Sequence, residues 1–338
     1  MALRVAIAGF GRVGQRRFNF LSKKNFFKVI SISDQFSVYR KKFRVGTVYS
    51  DYKKMLKNEK IDVLFVCLPN KESAKATILG LKNNCHVFCE KPPSKNLVEL
   101  KKVHKVYKQK KNLILKYGFN HRYHDSVQYA QKIIANNKLG KIINLRGVYG
   151  KSYIVLKTNF SKKQNYKFNW RTRKRDAGGG ILLDQGIHLI DLLNLFVGNF
   201  IESKSYISKS YWKKDVEDNV YTILKNDKKV FATLHSSATL WKHNFLLDIT
   251  LEKGMINLSG ILSGTKSYGK EKITIVKRTK NELHPNEKTY FYTKDLSWDK
   301  EINDFIKLIK TKPKKYKGGI SEAIETMKIV EMIYSSAN

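Results

Sequence analysis

Two short segments, far apart in the 338-residue sequence, hold residue types that suit proton and hydride chemistry at a hydroxyl-bearing carbon. One is Glu90-Lys91-Pro92-Pro93. The other is Gly178-Gly179-Gly180-Ile-Leu-Leu-Asp184-Gln-Gly-Ile-His188-Leu-Ile-Asp191. Together they are expected to bring a lysine, a histidine and two aspartates to one site. A lysine ammonium can donate to a substrate oxygen and stabilise a developing alkoxide. A histidine titrates near neutral pH, which suits a two-way proton carrier. On an α-helix, Asp184, His188 and Asp191 would share one face. Their neighbours Leu182, Leu183, Ile187, Leu189, Leu192 and Leu193 would be buried. Polar groups in such a helix are costly unless they line a cleft or pair with one another, so a structural His–Asp bond is the alternative. The three glycines read as a flexible entry to the helix. Lys91 follows a strand end, the prolines stiffen its turn, and Glu90 is available as its ion-pair partner. By itself Lys91 would read as one more surface lysine.

A nucleotide site is expected at Gly9-Phe10-Gly11-Arg12-Val13-Gly14, after an apolar strand and at the opening of a helix. Glycines there permit a tight turn and let backbone N–H groups approach a pyrophosphate. Asp34, at the end of the second strand, can accept from the adenosine ribose hydroxyls and repels a 2′-phosphate. This favours NAD. Arg40 could pair with a 2′-phosphate if its loop folds back, which keeps NADP as the alternative.

The elements that must position these residues follow from periodicity. Strands are expected at Leu3–Ala8, Lys28–Ser33, Val45–Tyr49, Ile61–Leu68, His86–Cys89 and Asn112–Tyr117. Helices are expected over Gln15–Lys24, from Ser50 or Asp51, over Glu72–Asn83, and from the Asn96–Glu99 cap to Lys110. This alternation is that of a doubly wound parallel sheet. The second half reads as helix Asp125–Asn136, strand Lys141–Tyr149, an irregular basic segment, helix Ile181–Phe196, then strands from Ile201 to about Thr279. Asn226-Asp227 and Lys253-Gly254 mark hairpins, so this sheet is expected to be open and largely antiparallel. Helices Trp298–Ile309 and Ile320–Tyr334 end the chain. The expected class is α/β: a Rossmann domain over 1–119, and an α+β domain for substrate binding and oligomerisation over 120–338.

These motifs resemble the glucose–fructose oxidoreductase / inositol dehydrogenase (Gfo/Idh/MocA) family across nearly the whole chain. The resemblance rests on Ala8-Gly-Phe-Gly11, Pro69-Asn70, Cys89-Glu-Lys-Pro92, Gly118-Phe-Asn-His-Arg122, Trp170-Arg171, Gly178–Asp191 and Gly319-Ile-Ser-Glu-Ala323. It implies an NAD(P)-dependent enzyme acting on CH–OH groups. Lys91 would be the substrate-hydroxyl lysine, His188 the acid/base, and Asp184 a substrate ligand or the group that orients His188. Arg122 and Asp191 join the expected substrate set. Leu68, Pro69, Asn70, Glu90, Lys91, Asn120, Trp170 and Arg171 would lie near the cofactor. Where many members carry a histidine after Pro-Asn, this chain has Lys71-Glu72-Ser73. The resemblance also implies a homodimer or homotetramer built on the sheet face.

Composition narrows the rest. A hydrophobic content of 42% supports packed cores, and five prolines argue against long linkers. No apolar run reaches the ~20 residues of a membrane helix. Met-Ala-Leu-Arg passes straight into a strand, so neither signal peptide nor membrane partner is expected. Cys67, Cys85 and Cys89 lack metal-ligand spacing and read as reduced thiols of a cytoplasmic protein, with no metal. The formal charge of +38 reads first as lysine spread over a solvated surface. No nucleic-acid motif accompanies it, so no specific nucleic acid is expected. Lys151–Asp176 concentrates Lys151, Lys157, Lys162, Lys163, Lys167, Arg171, Arg173, Lys174 and Arg175, interleaved with Tyr153, Tyr166, Phe168 and Trp170. Such a rim suits an anionic sugar, above all a nucleotide-linked one. A free polyol or sugar such as inositol or glucose is the alternative substrate, and a non-catalytic nucleotide sensor the alternative function.

Overall fold

The computed structural model describes residues 1–41, 43, 45–110, 112–153, 169–263, 267–279 and 285–337. The chain divides into two compact units. One comprises Met1–Phe119 with Trp298–Ile324, the other Asn120–Ser297 with Glu325–Asn338.

In the first unit, β1 (Leu3–Ala8), β2 (Phe27–Ser33), β3 (Thr47–Tyr49), β4 (Val63–Val66), β5 (His86–Glu90) and β6 (Leu115–Gly118) form a parallel sheet. The order is β3-β2-β1-β4-β5-β6, so direction of travel reverses between β1 and β4. Ligands bind beyond the carboxyl ends of strands at such a point. Val63–Val66 is buried at every position, as a central parallel strand covered on both faces requires. Helix Arg12–Leu21 starts three residues earlier than its periodicity suggests, because the fingerprint itself forms the first turn. Helix Asn70–Lys82 likewise opens directly on Pro69. Asn96 accepts from the Glu99 N–H at 2.9 Å, the cap its spacing indicates.

Helix Ser297–Thr311, which follows the second unit in chain order, packs into the first. Its Ile302, Phe305, Leu308 and Ile309 join the core around Phe65 and Phe88. The Phe305 ring meets Phe65 edge-on at 5.8 Å and Phe88 at 5.4 Å.

In the second unit, eight strands form one sheet in the order β14-β13-β12-β11-β7-β10-β9-β8. They are β7 (Ile142–Gly150), β8 (Phe200–Ser208), β9 (Asn219–Asn226), β10 (Phe231–Ser237), β11 (Asn244–Leu251), β12 (Gly254–Ser259), β13 (Glu271–Lys277) and β14 (Asn286–Tyr292). Every pairing is antiparallel except β7 with β10. Both expected hairpins are present, joining β9 to β10 and β11 to β12. Strand β14 lies beyond the expected strand region. It is a largely exposed edge and has no buried alternation to reveal it. The stretch Lys174–Val197 is by composition long and apolar enough to cross a membrane. However, 67% of its most apolar window is buried in the protein, the pattern of a core helix.

Phe305→Ala is expected to destabilise the first unit by about 3–5 kcal/mol, the usual cost of emptying a buried aromatic site. Urea unfolding checks this; an unchanged midpoint would detach the helix from that core.

Candidate functional site

The fingerprint turn of the first unit is held by close backbone contacts. Gly9 donates to the Ser33 carbonyl at 2.8 Å, and Cys67 N–H to the Ala8 carbonyl at 2.7 Å. Gly9 has φ +90°, and a β-carbon there would strike the Cys67 carbonyl. One on Gly14 would strike the carbonyl of Gly9. At Gly11, by contrast, a β-carbon would meet nothing within 4 Å. No side chain caps the Arg12–Leu21 helix, and its first turn has no acid. An open glycine at a bare helix N-terminus suits a pyrophosphate, so these residues fit a dinucleotide.

Asp34 stands beside this turn. Its Oδ2 accepts from Phe10 N–H at 2.8 Å and its Oδ1 from Phe36 N–H at 2.9 Å. A carboxylate offers about four acceptor positions, so capacity remains for ribose hydroxyls. Arg40 does fold back: its Nη1 donates to the carbonyls of Asp34 at 2.8 Å and Gln35 at 3.0 Å. Carboxylate and guanidinium therefore sit on the same loop. Asn70, 7% exposed, opens the helix after Pro69. Glu72, in the stretch that departs from the family pattern, accepts from the Tyr52 hydroxyl at 3.0 Å.

Lys91 immediately follows β5, and its bond to Pro92 is cis. Glu90, which the sequence offers as the partner of Lys91, is engaged by Arg17 at 2.6 Å. Arg17 is fully buried, also binds Glu301 at 2.6 Å, and lies over the rings of Phe88 and Trp298. Burial pushes the Glu301 carboxyl from 4.5 up to about 7 against the pull of Arg17, with Glu90 adding to the rise. One guanidinium facing two carboxylates in a dry site leaves one of them ready to hold a proton.

In the second unit, a 3₁₀ turn over Asn120–Tyr123 presents three side chains. Asn120 donates to Ser297 Oγ at 3.1 Å. Arg122 grips Asp191 through Nε at 2.6 Å and Nη2 at 2.5 Å; Asp191 is fully buried. The His121 ring stacks on His188, with centroids 3.8 Å apart and planes 16° from parallel. Its Nε2 lies 3.2 Å from the Tyr149 hydroxyl. Burial raises the Tyr149 hydroxyl well above its ordinary range.

The helix bearing Asp184 and His188 departs from the expected regular α-helix. Leu182–Gly186 forms a π-turn and Ile187–Val197 continues as α-helix. The widened turn changes the angular spacing of Asp184 from His188, and the three polar residues take different partners. Asp184 receives Lys151 Nζ at 2.7 Å, His188 takes the His121 ring, and Asp191 takes Arg122. The glycines are also not a flexible entry. A β-carbon on Gly179 would strike the Tyr334 hydroxyl, and one on Gly180 the Glu217 carbonyl. Beside Asp184, Gln185 donates to the Tyr268 hydroxyl at 2.5 Å.

Trp170 and Arg171 sit in a 3₁₀ turn, with the guanidinium 4.3 Å above the indole centroid. Arg173 pairs with Asp176 at 2.6 Å. Lys157, Lys162, Lys163, Tyr166, Lys167 and Phe168 of the expected basic rim lie outside the described residues. Sequence reasoning missed Tyr149 and Glu217; it counted Lys151 only within the basic rim and quoted His121 only as part of the Gly118–Arg122 motif, without a role.

Comparison with known proteins agrees with this architecture. Residues 3–119 match an oxidoreductase family with an NAD-binding Rossmann fold, and residues 127–257 match the GFO/IDH/MocA C-terminal domain. The D-glucoside 3-dehydrogenase of Escherichia coli K12 is 27% identical over 275 residues, 76% of this chain and 74% of the relative. The crystal structure of myo-inositol 2-dehydrogenase from Lactobacillus plantarum superposes with a TM-score of 0.78 at 25% identity, covering 99% of this chain and 97% of that one. A 3-ketoreductase from Actinomadura kijaniata, solved with NADP and TDP-benzene, superposes at 0.81 with 16% identity, covering 100% and 98%; at that identity the likeness shows the fold.

Two outcomes are expected from the first unit. Asp34→Asn should weaken NADH binding about tenfold, the loss of one charged acceptor, and bring NADPH affinity level with or above it. Fluorescence titration checks this, and unchanged preference would remove Asp34 from the ribose site. Folded Glu301 holds its proton more tightly than unfolded Glu301, so its contribution to stability is full below 4.5 and is lost as pH rises through about 7. Glu301→Gln should flatten the decline in melting temperature across that window; an unaltered slope would assign the decline to other groups.

Proposed function

Because the chain belongs to the Gfo/Idh/MocA oxidoreductase family, we propose that it is an NAD(P)-dependent sugar oxidoreductase in which Lys91, Asp184 and His188 handle the substrate hydroxyl. The observation that carries this reading is the conjunction of two features. One is the bare helix N-terminus at Gly11 with Asp34 beside it; the other is the Asp184–Lys151 and His188–His121 cluster on a buried helix. When bound, the nicotinamide takes or gives the hydride. His188 takes the hydroxyl proton in oxidation and returns it in reduction. Lys91 donates to the same oxygen and stabilises negative charge there. Asp184, already charge-paired, binds substrate or orients His188. Arg122 and Asp191, buried and paired through two hydrogen bonds, anchor the helix rather than meet the sugar.

The substrate favoured is a neutral sugar or polyol. Lys151, beside Asp184 and 9% exposed at its side chain, spends its charge on that carboxylate, and Arg173 spends its own on Asp176. Paired charges present alternating donors and acceptors, which suit hydroxyls. The relatives named for D-glucoside and myo-inositol support the same class. A nucleotide-linked or otherwise anionic sugar is the second reading. It rests on the basic residues around Arg171 and Arg175 and on the TDP-benzene held by the structural neighbour.

A cytoplasmic homodimer or homotetramer belongs to the same proposal. Tyr206, Tyr221, Ile223 and Phe231 are exposed on adjacent strands β8, β9 and β10, an apolar face of the kind that binds another protein.

Spectrophotometric turnover with NAD over a panel of polyols, glucosides and nucleotide sugars tests the reading. His188→Ala and Lys91→Ala should each lower kcat by about 10²–10⁴-fold, the usual worth of acid–base groups, and His188→Ala should leave NADH affinity nearly intact. Near-normal turnover in either variant would end the role given to it.

A further inference from the structure

A helix start leaves several N–H groups without intrahelical partners, and a buried start must find them elsewhere. The helix that bears Asp184 and His188 begins among buried residues, and one residue from another segment supplies its partners. Gly180 N–H donates to Glu217 Oε2 at 2.8 Å, and Leu182 N–H to Oε1 at 3.1 Å. Between them, Ile181 N–H donates to the Glu217 main-chain carbonyl at 3.1 Å. Three successive donors thus end on one side chain and its own backbone. The Tyr334 hydroxyl adds a fourth bond, to Oε1 at 2.8 Å. Glu217 is 6% exposed, and burial raises its carboxyl above its ordinary value.

Glu217 is itself held from the next position. Asp218 accepts from Tyr211 N–H at 2.9 Å and Trp212 N–H at 3.0 Å through Oδ2, and its own N–H donates to the Ser208 carbonyl at 2.8 Å. The clasp is therefore fixed on both sides. It also explains the neighbouring glycines, since a β-carbon on Gly180 or Gly179 would fill the space that Glu217 and Tyr334 occupy.

We infer that Glu217 is a positioning residue for the reaction: by clasping the start of the helix it sets the place of Asp184 and His188. The inference rests on the enzymatic reading above. A carboxylate only accepts, so both its oxygens can face N–H groups at once. The amide of Gln turns an NH₂ toward one of them, which must move away.

Glu217→Gln tests this with two readouts. The first is kcat alongside NADH affinity. The second is the ring NMR signals of His188, identified by their loss in His188→Gln, which need no turnover. Displacement of the reacting group by about 1 Å can cost a hundredfold in rate. A fall in kcat of that order, with unchanged NADH affinity and shifted His188 signals in a protein of native circular dichroism, is the expected result. A lowered melting temperature with kcat within twofold of wild type and unshifted His188 signals would make Glu217 merely structural and overturn the inference. If wild type turns over no sugar, the enzymatic reading fails separately and the His188 signals still decide. If Glu217→Gln does not fold, Glu217→Asp, which draws the oxygens back by one methylene, is read the same way.

Discussion

In each unit, candidate functional residues depend on backbone brought closer than a β-carbon allows. In the first unit, Gly9 lies against the Cys67 carbonyl and Gly14 against the carbonyl of Gly9. That contact seats the start of the Arg12–Leu21 helix and lets Asp34 reach the Phe10 N–H. In the second unit, Gly180 lies against Glu217, which allows the carboxylate to take the N–H groups of Gly180 and Leu182 at the helix start. The chemistry-bearing side chains are consequences of these contacts. Any larger residue would move a helix before it moved a charge.

Four buried charges are handled in the same manner. Arg17, Lys116, Asp191 and Glu301 are fully buried, and each meets an opposite charge. Lys116 takes Asp304 at 2.7 Å, three residues along the helix from Glu301. Such pairs add little net stability but are costly to break, because one uncompensated charge then remains in a dry place. They fix geometry more than they stabilise. Arg17 does so for Glu90, next to Lys91, as Arg122 does for Asp191, one turn beyond His188. With a formal charge of +38, the chain commits several of its few carboxylates to these sites and leaves the excess lysine to the surface.

Much of this was legible in the sequence. The parallel sheet followed from apolar runs punctuated by helical patterns, and the turn residues 226–227 and 253–254 marked the hairpins. The Asn96 cap and the Gly9–Gly14 turn followed from local chemistry. What escaped depended on partners distant in sequence. Nothing near Glu90 announces Arg17, and nothing near Asp184 announces Lys151. The π-turn at Leu182–Gly186 has a helical pattern like any other, yet it gives Asp184, His188 and Asp191 separate partners. Lys151 counted as part of a basic rim until its pairing with Asp184 gave it another meaning. Strand β14, exposed along most of its length, left no alternation to find.

The proposed reaction is direct hydride transfer between a sugar carbon and the nicotinamide. The measurement that reaches it most directly is isotope transfer. A myo-inositol or glucoside carrying deuterium on its carbinol carbons is incubated with the protein and NAD, and the reduced cofactor is weighed by mass spectrometry. Wild-type protein is expected to form NADH carrying one deuterium. Cofactor that binds but stays oxidised with both substrates, or is reduced without deuterium, would overturn the proposal.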